Sequence, residues 1–161
     1  MLAGIVLAVI GARRLLARET VKRRVDAWLL TLPVIGKLIR SVNAARFART
    51  FAMLVGGGAP VVESLTAARG SVDNQVFRDA LQEAIQAVKE GARPAQALSR
   101  TQVFPPMLTS LMASSTASDN LASLMDKGAG YLEEEFDGSI AVVLGLLEPC
   151  LLYTSPSPRD S

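Results

Sequence analysis

The sequence predicts an all-α protein: a compact six-helix bundle flanked by two partial transmembrane helices. Half of its 161 residues are hydrophobic, yet aromatics make up only 5%, and a chain rich in alanine, leucine and valine favours helices. From residue 38 to residue 138, apolar side chains recur at three-and-four spacing, in stretches closed by glycine or opened by proline. No segment alternates with the period of two that marks a strand. Five segments follow: a partial transmembrane helix at 1–16, a basic amphipathic connector at 17–37, a six-helix domain at 38–138, the truncated start of a transmembrane helix at 139–152, and a tail at 153–161.

Leu2 to Ala12 is an unbroken apolar run closed by Arg13 and Arg14. As a helix it would extend about 16 Å, roughly half a hydrocarbon core. A signal peptide carries its positive charge before the apolar stretch. Here Arg13, Arg14, Arg18, Lys22, Arg23 and Arg24 come after it, an order that favours the cytoplasmic end of a transmembrane helix. A buried core helix fits poorly beside that basic block. The connector that follows carries Trp28, Leu29, Leu30, Leu32, Val34 and Ile35, punctuated by Pro33 and Gly36, with Trp28 suited to a membrane interface.

The first domain helix is expected from about Leu38 to Val55 on Phe47, Phe51, Leu54 and Val55, ended by Gly56, Gly57 and Gly58. Pro60 opens a second through Arg69, with Val61, Val62, Leu65 and Ala68 inward. Ser71, Asp73 or Asn74 caps a third, striped by Val76, Ala80, Leu81, Ala84, Ile85 and Val88 and closed by Gly91. Pro94 begins a short fourth, and Pro105 and Pro106 a fifth with Met107, Leu108, Leu111 and Met112. Asp119 or Asn120 caps a sixth, carrying Leu121, Leu124, Met125 and Leu132 to the acidic cluster Glu133, Glu134, Glu135 and Asp137. Ile140 to Leu152 is apolar again, interrupted only by Glu148 and Pro149. The tail from Tyr153 to Ser161, with two Ser-Pro steps, is expected to be disordered. An apolar segment giving way to such a tail suggests an incomplete or chimeric reading frame.

Charge is divided along the chain. Between Arg13 and Arg49 stand ten Lys/Arg against two acids, whereas from Phe51 to Gly138 eleven acids face six bases. The basic block from Arg13 to Arg24 matches anionic lipid headgroups better than nucleic acid, because it directly follows an apolar run and no aromatics interleave it for base stacking. Histidine is absent, which removes the commonest general base and metal ligand. The single Cys150 makes neither an intrachain disulfide nor a thiolate zinc site. Gly56 to Gly58 lacks the Lys-Ser/Thr of a phosphate loop, and Ser64, Thr66 and Ser99 have no histidine to activate them. No catalytic, cofactor or metal residue is assigned, and enzymatic activity is not expected.

The candidate contact residues are Arg46, Arg49, Glu133, Glu134, Glu135, Glu148 and Pro149. Arg46 and Arg49 flank the buried stripe, and a solvated face is favoured for them over a partner site. The same holds for the acidic cluster, since a cation site needs oxygens converging from elsewhere. Glu148 places a carboxylate in an apolar run, where charge is costly, and Pro149 removes a helical hydrogen bond. A kink at an interhelical contact and a plain interfacial position stand level.

Several stretches, in order, resemble one known family: Ala45-Arg46-Phe47-Ala48-Arg49-Thr50, Gly58-Ala59-Pro60, Glu90-Gly91, Phe104-Pro105-Pro106-Met107, Tyr131-Leu132-Glu133-Glu134-Glu135-Phe136 and Leu147-Glu148-Pro149. Together they resemble the type II secretion system F protein family, the inner-membrane platform proteins of secretion machines and type IV pili, over about residues 12–152. That resemblance implies a six-helix cytoplasmic domain, of which this chain matches the second copy, in a multi-pass protein of the bacterial inner membrane. It also implies a non-enzymatic scaffold contacting an assembly ATPase, other inner-membrane assembly proteins, pilin-like subunits and membrane lipid, with self-association of the full-length protein and no nucleic acid. After the fifth helix the family usually carries Gly-Glu pairs; here Ser115-Thr116 and Asp119-Asn120 stand instead. The competing readings are the cytoplasmic regulatory lobe of a membrane channel or transporter, and a soluble helical adaptor with a cleaved signal peptide.

Overall fold

Proline biases the residue before it away from the helical region, so Leu32 ends one helix and Pro33 starts the next. In the computed structural model, which describes residues 4, 7, 11, 19–115 and 117–154, Leu32 is extended (φ −72°, ψ 129°). Helix α1 (Glu19–Thr31) stops before it and α2 (Pro33–Gly56) runs from it. The expected connector is therefore a helix and a corner, and the first domain helix begins at Pro33 instead of near Leu38. Gly36 does not break α2. It lies buried where a Cβ would strike the Leu30 carbonyl, so its lack of a side chain lets the two helices meet.

Five further helices follow: α3 (Val61–Arg69), α4 (Gln75–Lys89), α5 (Pro94–Arg100), α6 (Pro106–Ser114) and α7 (Ser118–Thr154). No strand occurs among the described residues. Gly58 (φ 86°) and Gly91 (φ 106°) adopt the left-handed conformation that closes α2 and α4. α7 already begins at Ser118, ahead of the Asp119 or Asn120 expected before its first turn. The helix does not stop near Asp137: it passes through Gly138 and Pro149 to Thr154, so Tyr153 and Thr154, expected in the tail, are helical. Of the tail, 155–161 lie outside the described residues, as does the apolar segment 1–16 apart from Gly4, Leu7 and Gly11.

The core is an aromatic cluster wedged between α2 and the shorter helices. Phe47 stacks on Phe51 with ring centres 5.7 Å apart. Phe104, from the α5–α6 loop, lies 5.1 Å from Phe47 and meets Phe77 of α4 edge-on at 5.2 Å. Each such contact adds about 0.5–1.5 kcal/mol beyond burial. Around it pack Leu65, Leu81, Ile85, Leu98, Leu108, Met125 and Leu132. α2 and α7 run antiparallel: a Cβ at Gly56 would sit 3.4 Å from that of Ala122, while Arg49 reaches Asp126 and Glu133.

A buried polar knot fixes the α3–α4 turn. Of the three caps considered for α4, Asn74 serves: its side chain accepts from the Val76 and Phe77 amides at 2.9 and 3.3 Å. Asn43 of α2 accepts from the Asp73 and Asn74 amides, both at 3.1 Å, and donates to the Ile39 carbonyl. Asp26 of α1 accepts from the Gln75 amide at 2.8 Å, a carboxylate at the positive end of α4. Arg23 Nε lies 3.0 Å from Asp79 Oδ2, an ion pair without the alignment of a hydrogen bond.

Replacing Asn43 by alanine leaves one buried and one part-buried amide without their acceptor and is expected to destabilise the fold by about 1–3 kcal/mol. Urea unfolding should show a lower midpoint at unchanged slope; a loss below about 0.5 kcal/mol, within the range of ordinary surface substitutions, would remove the knot from the account.

Candidate functional site

The seven candidate residues fall on one pair of helices, α2 and α7. Arg46 and Arg49 sit three apart on α2, on the face that looks outward beside the buried Ala45, Phe47 and Ala48. Arg46 pairs with Asp73 in the α3–α4 turn. The Arg49 guanidinium forks, donating to Asp126 Oδ1 at 2.7 Å and to Glu133 Oε2 at 2.5 Å. The hydrogen bond it donates to Glu133 is the main cause holding this guanidinium above its ordinary value, with burial opposing it. Its side chain is 39% exposed, so the bridge is a bracket between helices and not a buried charge pair.

The acidic cluster does not converge. Glu133 faces Arg49, Glu135 accepts from Lys37 Nζ at 2.7 Å, and Glu134 points to solvent. Among the described residues no group of three or more acidic or cysteine side chains is arranged to hold a metal ion. Asp137 and Glu133 instead line a shallow groove of about 320 Å³ with Arg46, Val42, Leu132 and Phe136. The sequence marked Asp73 only as a possible helix cap and gave Lys37 and Asp126 no role. For Asp126 a signal existed: it stands seven residues before Glu133, two helical turns, and so on the same stripe.

Beyond Glu135, α7 changes character. Residues 141–149 are all exposed, among them Val142, Leu144, Leu146 and Leu147 at 63, 59, 69 and 50%. An exposed helix apolar on every side has no stable place in water. Glu148 is exposed within this stretch, and Pro149 follows it without ending the helix. Trp28, Val34 and Ile35 at the α1–α2 corner are exposed too. Among the described residues no helix is both long and apolar enough to cross a membrane.

The sequence pattern described as type II secretion system (T2SS), protein F matches residues 47–153, about two-thirds of the chain. The chain belongs to the type II secretion system F protein family. Family relatives include a type II secretion system protein F of Pseudomonas aeruginosa, 36% identical over 89% of this chain and 36% of its own length. The protein of the same name from Vibrio cholerae is 30% identical over 94% of this chain and 37% of its own. A type IV pilus assembly protein PilC of Pseudomonas aeruginosa is 32% identical over 79% and 34%. The chain thus spans little more than a third of these relatives' length. No solved structure matches it.

Two measurements test the bracket. A double-mutant cycle on Arg49→Ala and Asp126→Ala should return a coupling of about 0.5–1 kcal/mol that shrinks with added salt; zero coupling at low salt contradicts the fork. The second concerns Lys37, which its hydrogen bond to Glu135 holds above the ordinary 10.5. Because the native value is raised, the pair stabilises the fold below the unfolded lysine value and loses that contribution as pH rises through the native one. NMR titration should place Lys37 above its ordinary 10.5, and Glu135→Gln should lower it towards that value.

Proposed function

We propose that this chain forms part of a non-enzymatic inner-membrane platform in a type II secretion or type IV pilus assembly machine. The helices between residues 38 and 138 form a cytoplasmic lobe. Segments 1–16 and 139–152 belong to membrane-crossing helices, and the basic stretch 17–37 rests at the headgroups. The lobe couples a motor ATPase to pilin-like subunits and other inner-membrane assembly proteins, and the full-length protein self-associates. Arg46, Arg49, Glu133, Glu134, Glu135, Glu148 and Pro149 are the proposed partner or membrane contacts.

Family membership supports this reading, and the observation that carries it is the form of α7. One unbroken helix is clasped to the lobe at its first half and leaves it as an exposed apolar rod. A lobe built on such a helix passes displacement into the membrane through rigid contacts, without a cofactor. The absence of histidine and the full burial of Ser64 accord with a role without catalysis.

In bacteria carrying the tagged parent protein, carbonate washing should leave it in the membrane pellet, and mild detergent should co-purify the assembly ATPase. Release by carbonate, or capture of no secretion or pilus component, would contradict the proposal.

A further inference from the structure

A cavity of about 460 Å³ opens between the first turns of α2, the α5–α6 loop and α7. Lys37, Arg40, Ser41, Gln102, Thr109 and Glu135 contribute its polar groups. Lys37 and Glu135 neutralise one another at 2.7 Å. Arg40 has no carboxylate within ion-pair distance among the described residues, which leaves the cavity one positive charge in excess. Ser41 is only 4% exposed, lines the cavity, and makes no side-chain hydrogen bond among the described residues. Gln102 holds the left-handed conformation (φ 55°) at the cavity wall, a sparsely populated state that tends to accompany binding sites.

We propose that this cavity binds the phosphodiester of an anionic phospholipid headgroup. The single surplus charge of Arg40 matches a monoanionic phosphodiester, and a guanidinium engages two phosphate oxygens at once. Ser41 donates its hydroxyl to the same group. Thr109, whose own proton goes to the Pro106 carbonyl, offers an acceptor to a headgroup hydroxyl. The location fits the source: Glu135 precedes the apolar stretch of α7, which opens at Ile140, by about 7.5 Å along the helix, and the exposed Val34 and Ile35 lie within one turn before Lys37. Basic pockets at that depth recognise anionic headgroups. The proposal deepens the platform reading and borrows from it only the source of the phosphodiester.

The test uses the full chain in neutral maltoside micelles, with amide NMR shifts of Ser41, Gln102 and Thr109 followed during three titrations. Short-chain phosphatidylglycerol should give saturable shifts, whereas short-chain phosphatidylcholine and inorganic phosphate should not. Arg40→Ala should weaken binding by about tenfold, the effect of losing one charge-assisted contact. Ser41→Ala should weaken it less, and Lys89→Ala, a remote exposed cation, should change nothing. Equal responses to both lipids, saturation by inorganic phosphate as tight as by phosphatidylglycerol, or an unaffected Arg40→Ala would each overturn the proposal. Release of the parent by carbonate would remove the platform reading, while saturable binding here would survive it.

Discussion

Antiparallel packing of α2 on α7 is the constraint from which the remaining structure follows. Ala44, Ala45, Ala48 and Ala52 on α2 are buried, as are Met125, Ala129 and Leu132 on α7. Small side chains on α2 let the two axes approach while larger ones fill the space between. α2 is 24 residues long and α7 37, so at about 1.5 Å per residue α7 outreaches its partner by roughly 20 Å. Helices α3 to α6 pack in succession from α2 round to α7, and from residue 141 to residue 149 the overhang of α7 is exposed among the described residues. Magnitudes assign the roles. A buried phenylalanine contributes about 1.5–3 kcal/mol, whereas an exposed ion pair contributes about 0–1 kcal/mol. Apolar packing therefore holds the pair together, and the Arg49 fork and the Lys37–Glu135 bridge select its register.

Polar groups shape the fold where packing alone would leave it loose. Asn43 and Asn74 are nearly buried, and between them they satisfy four backbone amides at the start of α4. That turn joins α2 to the layer behind it, so α4 inherits its position from α2. Asp26 extends the arrangement outward and seats α1 on the N-terminus of α4. The basic connector is thereby bound to the lobe, and the lobe's orientation is tied to whatever surface α1 meets.

Much of this was legible in the sequence, for particular reasons. Gly58 and Gly91 ended helices because the chain needed φ values only glycine adopts easily, and Pro94 and Pro106 began them. Phe47 and Phe51 lay on an evident stripe. Phe77 and Phe104 did not, since one opens a helix and the other sits in a loop; only the fold brings their rings together. The corner at Leu32 was hidden because Pro33 and Gly36 look like breaks, whereas one starts α2 and the other makes room inside it. α7 was divided at Gly138 because glycine costs a helix about 1 kcal/mol, a penalty one long helix absorbs. Arg46 and Arg49 read as solvated because their partners, Asp73 and Asp126, are distant in sequence. The family itself was legible from ordered short stretches, with Asp119-Asn120 marking a local departure from the usual pattern.

Function rests on where α7 goes once it leaves the lobe. α7 is held at Met125 to Leu132 and bare from residue 141 to residue 149, and the proposed platform places that bare end in the membrane. Nitroxide labels at Glu134, Val142 and Leu146, in a Cys150→Ser background reconstituted into anionic vesicles, measure that directly through their relative accessibility to oxygen and to a water-soluble nickel chelate. The account predicts a label at Glu134 open to nickel, with Val142 and then Leu146 increasingly shielded from nickel and open to oxygen. Equal nickel accessibility at all three positions would contradict it.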